Sequence, residues 1–146
     1  MKLLDVLNMK GRDVITASPE DTVLDAVRTL VSNKVGALVV VDDAGKLVGI
    51  ITERDILRLS GTECGNFAKM LLREHMTRDL VTVKATTTVE ESLSLMSQHR
   101  VRHLPVVDDG HLGGLISQGD LVKAMLDDAR HEAKQLTGFV TGQYPV

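Results

Sequence analysis

Two stretches of this chain are near-copies of each other, and that duplication limits the fold more than any other feature. Asp13-Val14-Ile15-Thr16 lies over Asp79-Leu80-Val81-Thr82, and Thr22-Val23 over Thr88-Val89. Val35-Gly36-Ala37-Leu38-Val39-Val40-Val41-Asp42-Asp43 lies over Val101-Arg102-His103-Leu104-Pro105-Val106-Val107-Asp108-Asp109. Ala44 is extra in the first copy. After it Gly45 matches Gly110, and Gly49-Ile50-Ile51-Thr52-Glu53-Arg54-Asp55 falls over Gly114-Leu115-Ile116-Ser117-Gln118-Gly119-Asp120. Self-similarity on this scale makes each copy one supersecondary unit. A unit so small buries little apolar surface by itself, so the two are expected to pack face to face about a pseudo-twofold axis.

Each copy reads β-α-β-β-α, an α+β arrangement. A short strand (Val14–Thr16; Val81–Val83) precedes a turn, and an amphipathic helix follows. Val23, Ala26, Val27, Leu30 and Val31 form its apolar stripe in the first copy, and Val89, Leu93 and Met96 repeat it in the second. Strands Leu38–Val41 and Leu47–Ile51 are joined by Asp42-Asp43-Ala44-Gly45, and Leu104–Val107 and Leu112–Ile116 by Asp108-Asp109-Gly110, tips that signal hairpins. Residues 1–62 are read as the first repeat with its N-terminal segment and 77–132 as the second. Between them, Ser60 to Gly65 reads as a loop and Asn66–Met76 as a helix, 63–76 forming the linker. The last helix runs from Ser117 past Glu132, and 133–146 is a tail, mostly irregular from Thr137 on.

The duplicated heptapeptide carries the chemistry. Its β-branched pair says strand, and Thr or Ser followed three residues later by Asp says helix N-terminus. That junction gathers free backbone N–H groups, a hydroxyl and a carboxylate, which suit a ribose and a phosphate. The same spacing is also a capping box with no function beyond satisfying the helix end, and such boxes occur at Thr22-Val23-Leu24-Asp25 and Thr88-Val89-Glu90-Glu91.

Composition narrows the classes of function. With 17 Lys+Arg against 20 Asp+Glu the net charge is −3, so no basic field recruits nucleic acid or an anionic membrane. There is no Trp, one Tyr and two Phe, too few for base-stacking platforms. The single cysteine, Cys64, forms no intramolecular disulfide and reads as incidental in a reducing cytosol. The N-terminal residues hold no apolar signal region, and no apolar run reaches membrane length. His75, His99, His111 and His131 have no metal-ligand spacing. No nucleophile–base pair or glycine-rich phosphate loop appears, so an enzyme is not expected.

The double Gly-h-h-Ser/Thr-x-x-Asp, the Val-Gly-Ala-Leu-Val-Val-Val-Asp and Val-Arg-His-Leu-Pro-Val-Val-Asp strands, and His75-Met76-Thr77 before the second copy resemble tandem cystathionine-β-synthase-type (CBS) domains, the Bateman module. The resemblance covers residues 5 to 130 and is closest to stand-alone bacterial CBS-pair proteins labelled as related to inosine monophosphate dehydrogenase, whose catalytic barrel has no counterpart here. It implies a non-catalytic sensor that binds adenosine-containing ligands (AMP above all, with ADP, ATP, NAD(H) or S-adenosylmethionine) in clefts between the repeats. Carried over by position, Asp55 and Asp120 hold ribose. Thr52, Arg54 and Ser117 hold phosphate, with Arg102 and His103. Thr16, Gly36, Ala37 and Thr82 line the adenine pocket. It also implies a homodimer and an unidentified regulated protein. The alternative is a structural or interaction protein with vestigial clefts. Gly119 stands where the first copy has Arg54, and Gly36-Ala37 where the second has Arg102-His103, so the clefts are expected to be unequal.

Overall fold

The apolar stripes and β-branched runs set the elements, and the computed structural model describes them over residues 1–62 and 66–140, the side chains of 137–140 aside. In the first copy β1 (Thr16–Ala17), α2 (Val23–Asn33), β2 (Ala37–Val41), β3 (Leu47–Thr52) and α3 (Glu53–Thr62) follow in order. The second has α5 (Val89–His99), β4 (His103–Asp108), β5 (His111–Ser117) and α6 (Gln118–Val140). Outside the repeats lie α1 (Leu3–Lys10) and α4 (Leu72–His75).

β1 runs parallel to β2 and β2 antiparallel to β3, while β4 and β5 form an antiparallel pair. The strand expected at Val81–Val83 shrinks to a single parallel bridge from Val83 to Val106, matching the Ala17–Val40 pair of the first copy. Each hairpin tip needs a left-handed residue, and Gly45 (φ 80°) and Gly110 (φ 77°) supply it.

Helix starts follow the capping chemistry. Thr22 Oγ1 accepts from the Asp25 N–H at 3.1 Å and the Asp25 carboxylate accepts from the Thr22 N–H at the same distance. Thr88 Oγ1 accepts from the Glu91 N–H at 3.1 Å. Two cationic residues in the left-handed region, Lys34 (φ 54°) and Arg100 (φ 55°), close α2 and α5.

Two apolar cores result, and each borrows from outside its own repeat. Leu3, Val6 and Leu7 of α1 are buried with Val89, Met96, Leu104, Val106, Ile116 and Leu121 of the second copy. Leu72 and Met76 are buried with Val23, Leu30, Leu38, Val40 and Ile51 of the first. Backbone bonds fix both exchanges: Leu3 and Leu4 donate to Thr87 and Ala85 carbonyls at 2.9 Å, while Val23 donates to Met70 O at 2.7 Å and Leu72 to Asp21 O at 2.8 Å.

That pairing corrects the expectation of a helix over Asn66–Met76. The stretch is a 3₁₀ turn (Phe67–Lys69), an extended break at Met70-Leu71 and then α4, because the Met70-Leu71 backbone bonds to the residues ahead of α2. Two further boundaries move. α3 continues through Gly61 to Thr62, where a loop was expected, and Thr137–Val140 extend α6 into the expected tail. Cys64, the rest of that loop and tail residues 141–146 lie outside the described residues.

Candidate functional site

Both heptapeptides fold as strand into helix, and both are capping boxes. Asp55 Oδ2 accepts from the Thr52 N–H at 2.9 Å and from its hydroxyl at 3.1 Å, and Thr52 Oγ1 accepts from the Asp55 N–H at 3.2 Å. Asp120 Oδ2 accepts from the Ser117 N–H at 2.8 Å, and Ser117 Oγ from the Asp120 N–H at 3.1 Å. The capping reading thus holds at both motifs, and any ligand would have to share these carboxylates with the cap. The cap fixes each carboxylate at a helix N-terminus, where backbone N–H groups favour an anion.

The motif glycines have a packing reason. A Cβ on Gly49 would lie 2.5 Å from Met76 Sδ and 3.1 Å from Thr77 O, and one on Gly114 2.7 Å from Leu7 Cδ2. Glycine at the head of the motif admits the exchanged segment.

Strand ends from the two copies meet beside the first motif. The Glu53 N–H donates to Gly36 O at 3.0 Å, and the Gln118 N–H to Arg102 O at 2.8 Å, a matched pair across the pseudo-twofold. A cavity of about 860 Å³ opens there, within the roughly 300–1,000 Å³ typical of small-molecule sites. Gly36, Ile50, Thr52, Glu53, Arg54, Asp55 and Leu57 line it from the first copy, Arg100, Val101, Arg102 and His103 from the second, with Thr77 of the connection. A Cβ on Gly36 would lie 2.8 Å from Glu53 Oε1 and 3.4 Å from His103 Nε2, so the bare backbone leaves room for both.

Of the residues expected in a site, the structure thus brings together Gly36, Thr52, Arg54, Asp55, Arg102 and His103. Ala37 is buried opposite Thr52 in β2, and Thr16 and Thr82 are exposed outside the cavity lining. Arg100, Glu53, Leu57 and Thr77 were not assigned from sequence. For Arg100 a signal existed: it aligns with Lys34, a second cation at a helix end.

The electrostatics are mixed. Burial pushes the His103 imidazole below its ordinary pKa, against the opposing pull of the Glu53 carboxylate. Arg58, one turn along α3, pairs with Asp55 Oδ1 at 3.2 Å.

The second motif is engaged differently. Lys10 Nζ donates to Asp120 Oδ2 at 2.5 Å and to Leu115 O at 2.6 Å. Burial would raise the Asp120 carboxyl, but the Lys10 ammonium and the Ser117 N–H outweigh it and hold it low. The hollow of about 360 Å³ beside Asp120 is a groove between α1 and α6, lined by Val6, Met9, Lys10, Lys123, Ala124 and Asp127. Among the described residues no group of three or more His, Cys, Asp or Glu could hold a metal ion, and no helix is long and apolar enough to cross a membrane.

The sequence pattern of the CBS domain matches twice, over residues 6–61 and 72–127. The chain belongs to the CBS-domain family. Its CBS pair is 36% identical, over 96% of the chain and 72% of the relative, to "CBS domain-containing protein CBSX3, mitochondrial" of Arabidopsis thaliana. It is 40% identical over 77% of its length to the inosine-5'-monophosphate dehydrogenase of Methanocaldococcus jannaschii but covers only 22% of that enzyme. Among solved structures, the CBS-domain-containing protein ATU1752 from Agrobacterium tumefaciens superposes with a TM-score of 0.83 at 36% identity, covering 86% of this chain and 99% of that one. The CBS domain pair of protein MJ0100, solved in complex with 5-methylthioadenosine and S-adenosyl-L-methionine, gives 0.76 at 28% identity, covering 86% and 99%.

Proposed function

We propose that this CBS pair is a non-catalytic sensor that takes an adenosine nucleotide in the cleft between its repeats. One observation carries the reading: a capped carboxylate at a helix N-terminus, Asp55, shares an 860 Å³ cavity with Arg54, Arg102 and His103. An ionised carboxylate accepts from both hydroxyls of a vicinal diol, and cationic donors suit a phosphate. In this reading Asp55 holds the ribose, Thr52, Arg54, Arg102 and His103 the phosphate, and Gly36 flanks the base. Ala37, Thr16 and Thr82 shape the adenine pocket from its margin, and Ser117 and Asp120 are the counterparts in the second cleft. The adenosine ligands of MJ0100 support this class of ligand. AMP is the nucleotide proposed first, with ATP and NAD(H) as the longer candidates, in a cytosolic setting and serving a regulated protein partner.

Homodimerisation belongs to the same proposal. Leu57 on α3 and Val122, Met125 and Leu126 on α6 are large apolar residues left exposed. Light scattering that returned the mass of a single chain would remove this part.

Calorimetry tests the site. Hydrogen bonds to charged groups contribute about 1.5–3 kcal/mol, so Arg102→Ala should weaken AMP roughly ten- to a hundredfold and leave adenosine nearly unchanged. Equal losses for both ligands would take Arg102 out of phosphate recognition. Absence of any binding or thermal shift with AMP, ADP, ATP or NADH would leave the clefts vestigial and the protein a structural one.

A further inference from the structure

We propose that Lys10 is a resident cation of the second cleft: its ammonium bonds the Asp120 carboxylate at the capping oxygen and already matches its charge, so a ribose diol must compete with it and that cleft accepts a nucleoside readily only when the Lys10 side chain moves aside. The inference rests on the nucleotide-binding reading above and concerns which of the two clefts is open.

The position of Lys10 is built, not incidental. α1 precedes the first repeat but docks on the second, with Leu3, Val6 and Leu7 in that core and the Leu3 and Leu4 N–H groups bonded to Thr87 and Ala85. The helix ends with its last side chain directed at the Ser117–Asp120 cap. There Nζ bonds at once to Asp120 Oδ2 and Leu115 O, one a carboxylate and the other a strand carbonyl at the foot of the motif.

The first cleft lacks this feature. Ile50 aligns with Leu115, and its carbonyl is taken by the Thr77 backbone N–H at 2.9 Å, so no side chain is spent there and Thr77 lines the open cavity. Counting back from the aligned Asp13 and Asp79, the residue matching Lys10 is Met76, which is buried and uncharged. The cation on Asp55 is Arg58, from the same helix and mostly exposed, free to swing to solvent without moving another element.

The chain also provides a point of release. Gly11 follows α1 with φ 101°, a conformation that L side chains rarely adopt, and its N–H closes the helix on Leu7 O at 2.7 Å. Nothing lies within 4 Å of where its Cβ would be. Lys10 is thus the last helical residue, and its side chain, about a third exposed, can turn away from Asp120 while Leu3, Val6 and Leu7 stay in the core.

The test is a calorimetric titration of AMP into wild type, Lys10→Met and Lys10→Gln. The methionine variant copies the aligned residue, and the glutamine variant removes the charge while keeping a polar head. Wild type should bind one tight equivalent, with the second weaker by roughly ten- to a hundredfold, the range for losing a hydrogen bond to a charged group. Both variants should narrow that gap to less than about threefold. Two equal sites in wild type, or variants that keep the wild-type gap, overturn the proposal. If no form binds AMP, the nucleotide reading fails, and the contact is judged without ligand by carbon-13 titration of the Asp120 carboxyl. Its pKa should rise in both Lys10 variants, and an unchanged value overturns the resident-cation role.

Discussion

In the proposed site Asp55 has two jobs for one carboxylate, and the design of a variant has to separate them. Its Oδ2 satisfies the Thr52 N–H and hydroxyl at the start of α3, so Asp55→Ala would remove the cap along with any ligand contact. Asp55→Asn keeps an acceptor for the Thr52 N–H while losing the charge and replacing the oxygen that faces Arg58 with an amide donor. Its melting temperature should stay within a few degrees of wild type while AMP affinity falls about tenfold or more. A full loss of fold in Asp55→Asn would mean that the charge serves the cap. His103 gives a pH signature. Its pKa is depressed in the folded chain below the ordinary 6.5, so the folded form binds fewer protons than the unfolded one in that region. The stabilisation is complete above about pH 6.5 and is lost as the pH falls through the lower folded value. Wild type should therefore lose more melting temperature than His103→Gln between pH 7.5 and pH 5.5. Parallel curves would show that the imidazole is charged at no cost. The charges acting on it are those of Glu53, Lys10, Asp120 and the neighbouring Arg102, so each should alter that curve in its own direction when neutralised.

At the scale of elements, the repeat made β2, β3, β4, β5, α2 and α5 legible, because periodicity, hairpin glycines and threonine caps agreed on each. The lead-in segments were not legible. α1 is eight residues long, and its apolar residues Leu3, Val6 and Leu7 have no partners nearby in sequence. The Asn66–Met76 stretch has helical spacing but spends its backbone on the edge of α2. Both were decided by tertiary contacts that a local pattern does not encode. The candidate site shows the same division. Asp55 and Thr52 were singled out by the duplication and Arg102 and His103 by the family resemblance, whereas Lys10 comes to Asp120 only through the placement of α1. The motif glycines record this hidden contact. Gly114→Ala should drive a methyl into Leu7, which is 1% exposed and has nowhere to retreat, and destabilise the fold by about 1–3 kcal/mol. Chemical denaturation measures it, and a neutral result would mean that α1 sits more loosely on the second copy than the geometry indicates.

The whole molecule is two cores whose ingredients are crossed over. Leu72 and Met76 complete the half that ends before them, and Leu3, Val6 and Leu7 complete the half that begins after Met76, with the connection at 63–66 joining the two in sequence. A chain cut within that connection should give two fragments, each carrying the other's missing wedge. Each fragment alone should show little cooperative unfolding, and an equimolar mixture should regain the two-sheet circular dichroism and melting transition of the intact chain. A fragment that folds unaided would show that its borrowed helix is dispensable. The crossing also bears on autonomy: a lone unit of this kind would lack part of its interior unless a twin supplied the matching lead-in segment.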